Sequence, residues 1–262
     1  MNDVLQVLLV ALATAAGLMA VTALIARAVD RVAVVDIAWG LGFVAIAATT
    51  ALAANEGAAR RWVVLALVVL WGFRLAWHIR RRAVGHGEDP RYEELLGGRL
   101  SEVGLGVAVR KVFLVQGFAL WLISLPVQVG AALEVRWWPL VVVGSVVWLV
   151  GIVFESVGDA QLAAYKADPD RGPVMDRGLW GWTRHPNYFG DACVWWGIWL
   201  AGGLASGWLP GLLTLVAPIA MTYFLVFATG ARLLERTMMQ RDGYPEYARR
   251  TSMFFPLPPR RR

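Results

Sequence analysis

Cysteine and histidine are scarce in this chain. Cys193 is its one cysteine, so no disulfide can close within it. With only three scattered histidines beside that thiol, a zinc site has too few ligands to build on. Lysine is nearly missing as well: Lys111 and Lys166 are the only two. Charged residues make up 17% of the chain, below the roughly 25% of a soluble domain, which argues against a soluble globular fold. No basic segment precedes the first apolar stretch, where Arg27 is the first cation, and no small-residue cleavage site follows. The N-terminus therefore reads as a retained first helix rather than a signal peptide. Basic and aromatic residues do not interleave on a polar module, so the net charge of +6 does not point to nucleic acid. No inverted internal repeat of the transporter kind is visible.

What the chain does have is apolar surface, at 58% of 262 residues. Several runs approach the roughly 20 residues that cross a bilayer core. Seven spans emerge, at about 4–25, 34–54, 62–80, 112–130, 138–157, 189–205 and 209–230. The sixth is short and begins beside a polar cluster. The expected fold is all-α, a polytopic transmembrane helical bundle of about seven helices forming one integral membrane domain over 1–262. Arginine placement orients it. With the N-terminus outside, only Arg60, Arg61 and Arg136 fall in outer loops, Arg74 lies within a span, and every other cation is inside. The C-terminus is then inside. Residues 81–111 and 158–188 form long inner segments, and Ala231 to Gln240 is an amphipathic stretch. Residues 256–262, with three prolines and three arginines, read as a disordered basic tail. Arginine- and alanine-rich composition with almost no lysine suggests a high-GC bacterial genome, and hence a bacterial inner membrane.

An ionisable residue within a span costs a few kcal/mol, on the order of 3 on insertion scales, and marks a candidate functional site. Asp36 begins the second span. Arg74 and His78 share a face of the third. Glu155 and Asp159 stand four apart near the inner end of the fifth, and Asp191 opens the sixth. Together with Lys166, Arg184, His185 and Asn187 they gather near one interface and describe a polar cavity for a charged ligand, with guanidinium groups suited to phosphate. The tract GLWGWTRHPNYFGD, Gly178 to Asp191, is the most distinctive in the chain. Pro186 favours an extended residue before it, Asn187 is placed to cap the helix that follows, and Gly190 permits close backbone approach. The plain alternative is an interfacial turn anchored by Trp180 and Trp182.

RHPNYFGD, with FESVGDAQLAAYK upstream and LLERTMMQRDGYPEY downstream, resembles the steroid 5-alpha-reductase-like membrane family, in its bacterial branch of uncharacterised function. RVAVVDIAWG, LWGFRLAWHIRRR and GHGEDPRY extend the resemblance over nearly the whole chain. The superfamily also holds sterol reductases and isoprenylcysteine carboxyl methyltransferases. The resemblance implies a seven-helix reductase in which NADPH enters from the cytoplasmic side and lies among the C-terminal helices (131–255). A lipophilic enone would enter from the bilayer among the N-terminal ones (1–130). By motif position, Asp159, Lys166, Asn187, Asp191 and Trp195 match cofactor-binding positions, with Arg82 standing where the family has asparagine. Arg184, His185, Tyr188, Glu235, Tyr244 and Tyr247 complete the expected cofactor pocket. The family usually has Glu at Asp191. The Gln-Glu pair and early tyrosine that hold a steroid carbonyl are missing, since no tyrosine precedes Tyr92.

The resulting expectation is hydride transfer to a C=C bond conjugated to a carbonyl, with an acid at the carbonyl oxygen. Tyr92, Glu88 and Asp36 are the candidate catalytic acids, with His78 a further one. Tyr92 has the advantage that a phenol stays protonated at neutral pH. Two other readings stand beside it: an S-adenosylmethionine-dependent membrane methyltransferase, which the Arg184–Tyr188 and Glu235–Tyr247 regions also match, and a lipid-binding or transport protein without enzymatic activity. No metal is expected.

Overall fold

In an apolar medium a backbone segment must satisfy its own N–H and C=O groups, so long apolar runs become helices. The computed structural model describes residues 3–55, 59–228 and 230–258. Among these, the structure is helical, with one isolated bridge between Thr183 and Ser252. Helices α1 (Asp3–Val29), α2 (Val34–Ala53) and α3 (Arg60–Ala83) are followed by the short inner helices α4 (Pro90–Leu96) and α5 (Leu100–Val103). Next come α6 (Leu105–Ala108), a π turn and α7 (Leu114–Ile123), which run on as one rod, and then α8 (Leu125–Ala132) and the long α9 (Trp138–Ala167). Helix α10 (Pro186–Ile198) leads through a π turn to α11 (Trp208–Thr214) and α12 (Val216–Tyr223). Helices α13 (Ala231–Met238) and α14 (Tyr244–Arg250) close the chain.

Among the described residues, six helices are long and apolar enough to cross a membrane: Asp3–Val29, Val34–Ala53, Arg60–Ala83, Leu105–Ile123, Trp138–Ala167 and Trp208–Met238. The chain is thus an integral membrane helical bundle. The span expected at 189–205 is not among them. Its α-helix stops at Ile198, and a π turn and a 3-10 turn follow. The span expected at 112–130 is broken at Ser124, because Pro126 has no N–H to continue the ladder. Ser124 Oγ and Gln128 Nε2 donate to the Trp121 carbonyl at that break, at 3.0 and 2.8 Å.

The chain divides into two compact units. One comprises Met1–Val141 with Trp199–Ala217, the other Val142–Ile198 with Pro218–Arg262. In the first, α2 and α3 meet at Gly40 and Gly72, where a Cβ on either would lie within 2.7 Å of the other's carbonyl oxygen. In the second, α9 and α10 touch along glycines seven residues apart. A Cβ on Gly151 would come 2.5 Å from the Gly190 carbonyl, and one on Gly197 would come 2.5 Å from that of Gly144. Gly158 faces Pro186 one step further along. Small residues let helix backbones pack closely where lipid supplies no hydrophobic drive between them. Gly190 behaves as the sequence suggested, and the seven-residue period of the α9 glycines (144, 151, 158) was there to be read.

Helix ends need partners too. Arg60 is wholly buried rather than lying in an outer loop. Its guanidinium donates to the carbonyls of Gly130 (2.9 Å) and Leu133 (2.7 Å), closing the end of α8, and to Ser206 Oγ at 2.9 Å. Arg61 does the same for α2, donating to the Ala54 carbonyl at 2.7 Å. Of the tail expected to be disordered, Leu257 donates its N–H to the Trp182 carbonyl at 3.0 Å, while residues 259–262 lie outside the described residues.

The α9–α10 contact yields a direct prediction. Gly151→Val should lower stability by roughly 1–3 kcal/mol through overpacking. Gly17→Ala, with nothing within 4 Å of the added carbon, should be neutral or stabilising. Melting temperatures of the two variants in one detergent check the pair, and equal losses would refute the close-contact reading.

Candidate functional site

The first cluster is built in the N-terminal unit from GEDPRY. Asp89 and Pro90 start α4 in the ordinary way: the Asp89 carboxylate accepts the Arg91 N–H at 2.9 Å, and proline occupies the first turn. That start aims Tyr92 at α2. The Tyr92 hydroxyl donates to Asp36 Oδ1 at 2.5 Å, and Arg91 Nη2 reaches Asp36 Oδ2 at 3.3 Å. Arg91 is itself held by Asp89, through Nε at 3.0 Å and Nη2 at 2.7 Å. Tyr92 is buried, and burial, with the Asp36 charge beside it, holds its phenol well above the usual tyrosine range. The hydrogen bonds from Arg91 hold the Asp89 carboxyl below its ordinary range.

Glu88 sits differently. Helix α2 has no side-chain cap of its own. Glu88 supplies one: Oε1 accepts the Ala33 N–H at 3.0 Å and its neighbour Asp89's N–H at 2.9 Å, and Oε2 accepts the Val32 N–H. Both oxygens are thus occupied by backbone donors. The three expected acids are brought together, but Glu88 seats the loop while Asp36 and Tyr92 form a bonded pair. Arg82, exposed at the end of α3, belongs to this same unit, as do the half-buried Arg74 and His78.

The second cluster lies in the C-terminal unit. Arg184 Nε and Nη2 grip Glu235 at 2.6 and 2.8 Å, and Nη1 donates to the carbonyls of Ala248 (2.7 Å) and Thr251 (2.6 Å). His185 Nε2 lies 3.1 Å from the same Glu235 oxygen, and Tyr188 stacks on the His185 ring with centroids 5.4 Å apart. The Tyr244 hydroxyl donates to Glu235 at 3.4 Å, and Tyr247 donates to the Trp180 carbonyl at 2.6 Å. Burial pushes the Tyr244 phenol up to about 12 and raises that of Tyr247 as well. Thr183 Oγ1 donates to the Phe254 carbonyl at 2.9 Å, and Arg184 N donates to that of Ser252 at 2.9 Å. The RHPN tract is thereby clasped to the C-terminal helices.

Asn187 and Asp159 form a separate pair, Nδ2 donating to Oδ1 at 3.3 Å. Asp191 and Trp195 are buried on α10, while Lys166 is exposed at the end of α9. Among the described residues, no group of histidine, cysteine and carboxylate side chains could hold a metal ion. Arg184 is not available to clamp the phosphates of a dinucleotide. Four donor contacts already engage that guanidinium inside the protein, leaving it no fork to offer a phosphate.

The family described as a protein of unknown function, DUF1295, matches residues 22–251. The chain belongs to that family. The matched stretch holds both clusters of this DUF1295 protein, from Asp36 and Tyr92 to Glu235 and Tyr247. No curated protein and no solved structure matches the chain.

Sequence reasoning missed Arg91 and Asp89 as members of the first cluster. The signal was present in Asp89-Pro90, a helix-start pair that fixes where the next two side chains point. It also missed that Arg184 and Glu235 would be partners.

The clasp makes a prediction of its own. Arg184→Ala and Glu235→Ala should each cost about 3 kcal/mol, because each strands a partly buried charge. The double variant should cost much less than their sum. A double-mutant cycle on thermal unfolding measures this, and strict additivity would rule the clasp out.

Proposed function

We propose that this protein is an intramembrane reductase that saturates a C=C bond conjugated to a carbonyl in a lipophilic substrate. The observation that carries the reading is the Asp36–Tyr92 pair, a buried phenol hydrogen-bonded to a carboxylate at the first turn of a membrane span. The resemblance to steroid 5-alpha-reductase-like proteins supports the reaction class, and the family match supports the resemblance's coverage.

A carbonyl oxygen placed at the pair would receive the Tyr92 O–H in place of Asp36. As the β carbon is reduced, negative charge grows on that oxygen, and the hydrogen bond strengthens with it. Arg91, 3.3 Å from Asp36, keeps the carboxylate in place while the phenol turns to substrate. A proton at the α carbon completes the saturation. NADPH, when bound, supplies the hydride. By the resemblance, Asp159, Lys166 and Asn187 are the residues that would hold it, while Arg184 and Glu235 clasp the RHPN tract to the C-terminal helices. The missing Gln-Glu pair favours a lipid enone other than a steroid.

The test is a calorimetric titration of the detergent-purified protein with NADPH and with S-adenosylmethionine, followed by a screen of lipophilic enones. Micromolar NADPH binding is expected, lost on Asn187→Ala. Tyr92→Phe and Asp36→Asn should bind NADPH normally but turn over at least about 100-fold more slowly. Binding of S-adenosylmethionine alone would replace the reading with a methyltransferase. Binding of neither would leave a lipid-binding protein.

A further inference from the structure

Helix α13 is the C-terminal end of the last long apolar helix, Trp208–Met238, set off from its apolar part by a π turn and an abrupt backbone change at Gly230 (φ −105°, ψ −122°). Its one acidic residue, Glu235, points inward to Arg184 and His185. What remains outside is two arginines a turn apart, Arg232 and Arg236, flanked by Leu233, Leu234 and Met239 at 42%, 46% and 45% exposure. Neither arginine forms an ion pair among the described residues, nor do Arg177, Arg241 and Arg249, whereas Arg184 is held by Glu235, Arg250 by Asp176, and Arg171 by the Lys166 carbonyl. The Arg232 guanidinium lies over the Phe227 ring, 4.4 Å from its centroid, folded back against the end of the span. Phe227 in turn stacks on the exposed Tyr223 at 5.5 Å.

This is the pattern of a helix lying at the headgroup level. Leucines dip into the acyl boundary, aromatic rings mark the interface, and guanidinium groups remain to be neutralised. The complementary charge is that of an anionic lipid, and each cation near such a surface adds to the attraction. We propose that α13 is a docking platform for anionic phospholipid headgroups, with Arg232 and Arg236 as their contacts. The inward turn of Glu235 gives the platform its uniform sign. Because Glu235 also holds Arg184, the clasp and the lipid-facing surface are two sides of one helix.

The test uses the full chain in nanodiscs of phosphatidylcholine, alone or with phosphatidylglycerol, read by melting temperature and by lipid retained in native mass spectrometry. The anionic lipid should raise the melting temperature by several degrees and remain bound. Arg232→Gln/Arg236→Gln should lose roughly half of that shift or more, while melting like the parent in phosphatidylcholine. In the parent, 0.5 M salt should reduce the shift, since a screening length of about 4 Å weakens exposed pairs. Equal melting in both lipids would overturn the proposal, as would a full shift in the variant or the same shift from inorganic phosphate alone.

Discussion

The ends of helices govern this structure. A span immersed in hydrocarbon satisfies its interior backbone by itself, but its first N–H and last C=O groups must find partners elsewhere. Here side chains from distant parts of the sequence supply them. Glu88 closes the start of α2, Arg61 the end of α2, and Arg31 reaches the Ala83 carbonyl at the end of α3. Arg60 closes α8, Lys111 donates to Leu95 at the end of α4, and Arg184 reaches Ala248 and Thr251 at the end of α14. Cations suit helix C-termini because the exposed carbonyls there carry partial negative charge.

The same constraint assembles the candidate site. Glu88 draws the loop before α4 onto the start of α2, and the Asp89–Pro90 start of α4 then directs Arg91 and Tyr92 at Asp36. The closure of one helix end thus sets the register of a bonded acid pair one turn further in. In the C-terminal unit Arg184 works likewise. Its grip on Glu235 and on two terminal carbonyls fixes the RHPN tract beside the last helices.

Much of the fold was legible because apolar length is a direct physical requirement of the bilayer. Five expected spans correspond to long apolar helices, and the fourth is one as far as Ile123. The break at Ser124 was readable from Pro126. The truncation of α10 at Ile198 was harder to see, since its continuation is as apolar as a span and differs only in helical winding. Within the candidate site, the sequence brought out Asp36 because a charge in a span is expensive, and Glu88 and Tyr92 because they are groups able to donate a proton. It could not separate cap from acid, since a carboxylate that closes a helix and one that holds a phenol look alike until their partners are known. The arginine excess misled in the same way. Read as positive loops and phosphate clamps, it is partly spent on helix C-termini, as Arg60 and Arg184 show.

The claim that helix closure builds the site can be tested without knowing the substrate. Hydrogen–deuterium exchange of the Glu88→Gln variant against the parent reads the backbone donors that Glu88 holds. The account predicts faster exchange at the start of α2, around Val32 and Ala33, together with faster exchange through α4, and no change in α9 or α10. Unchanged protection at Val32 and Ala33, or loosening spread evenly over the whole chain, would contradict it.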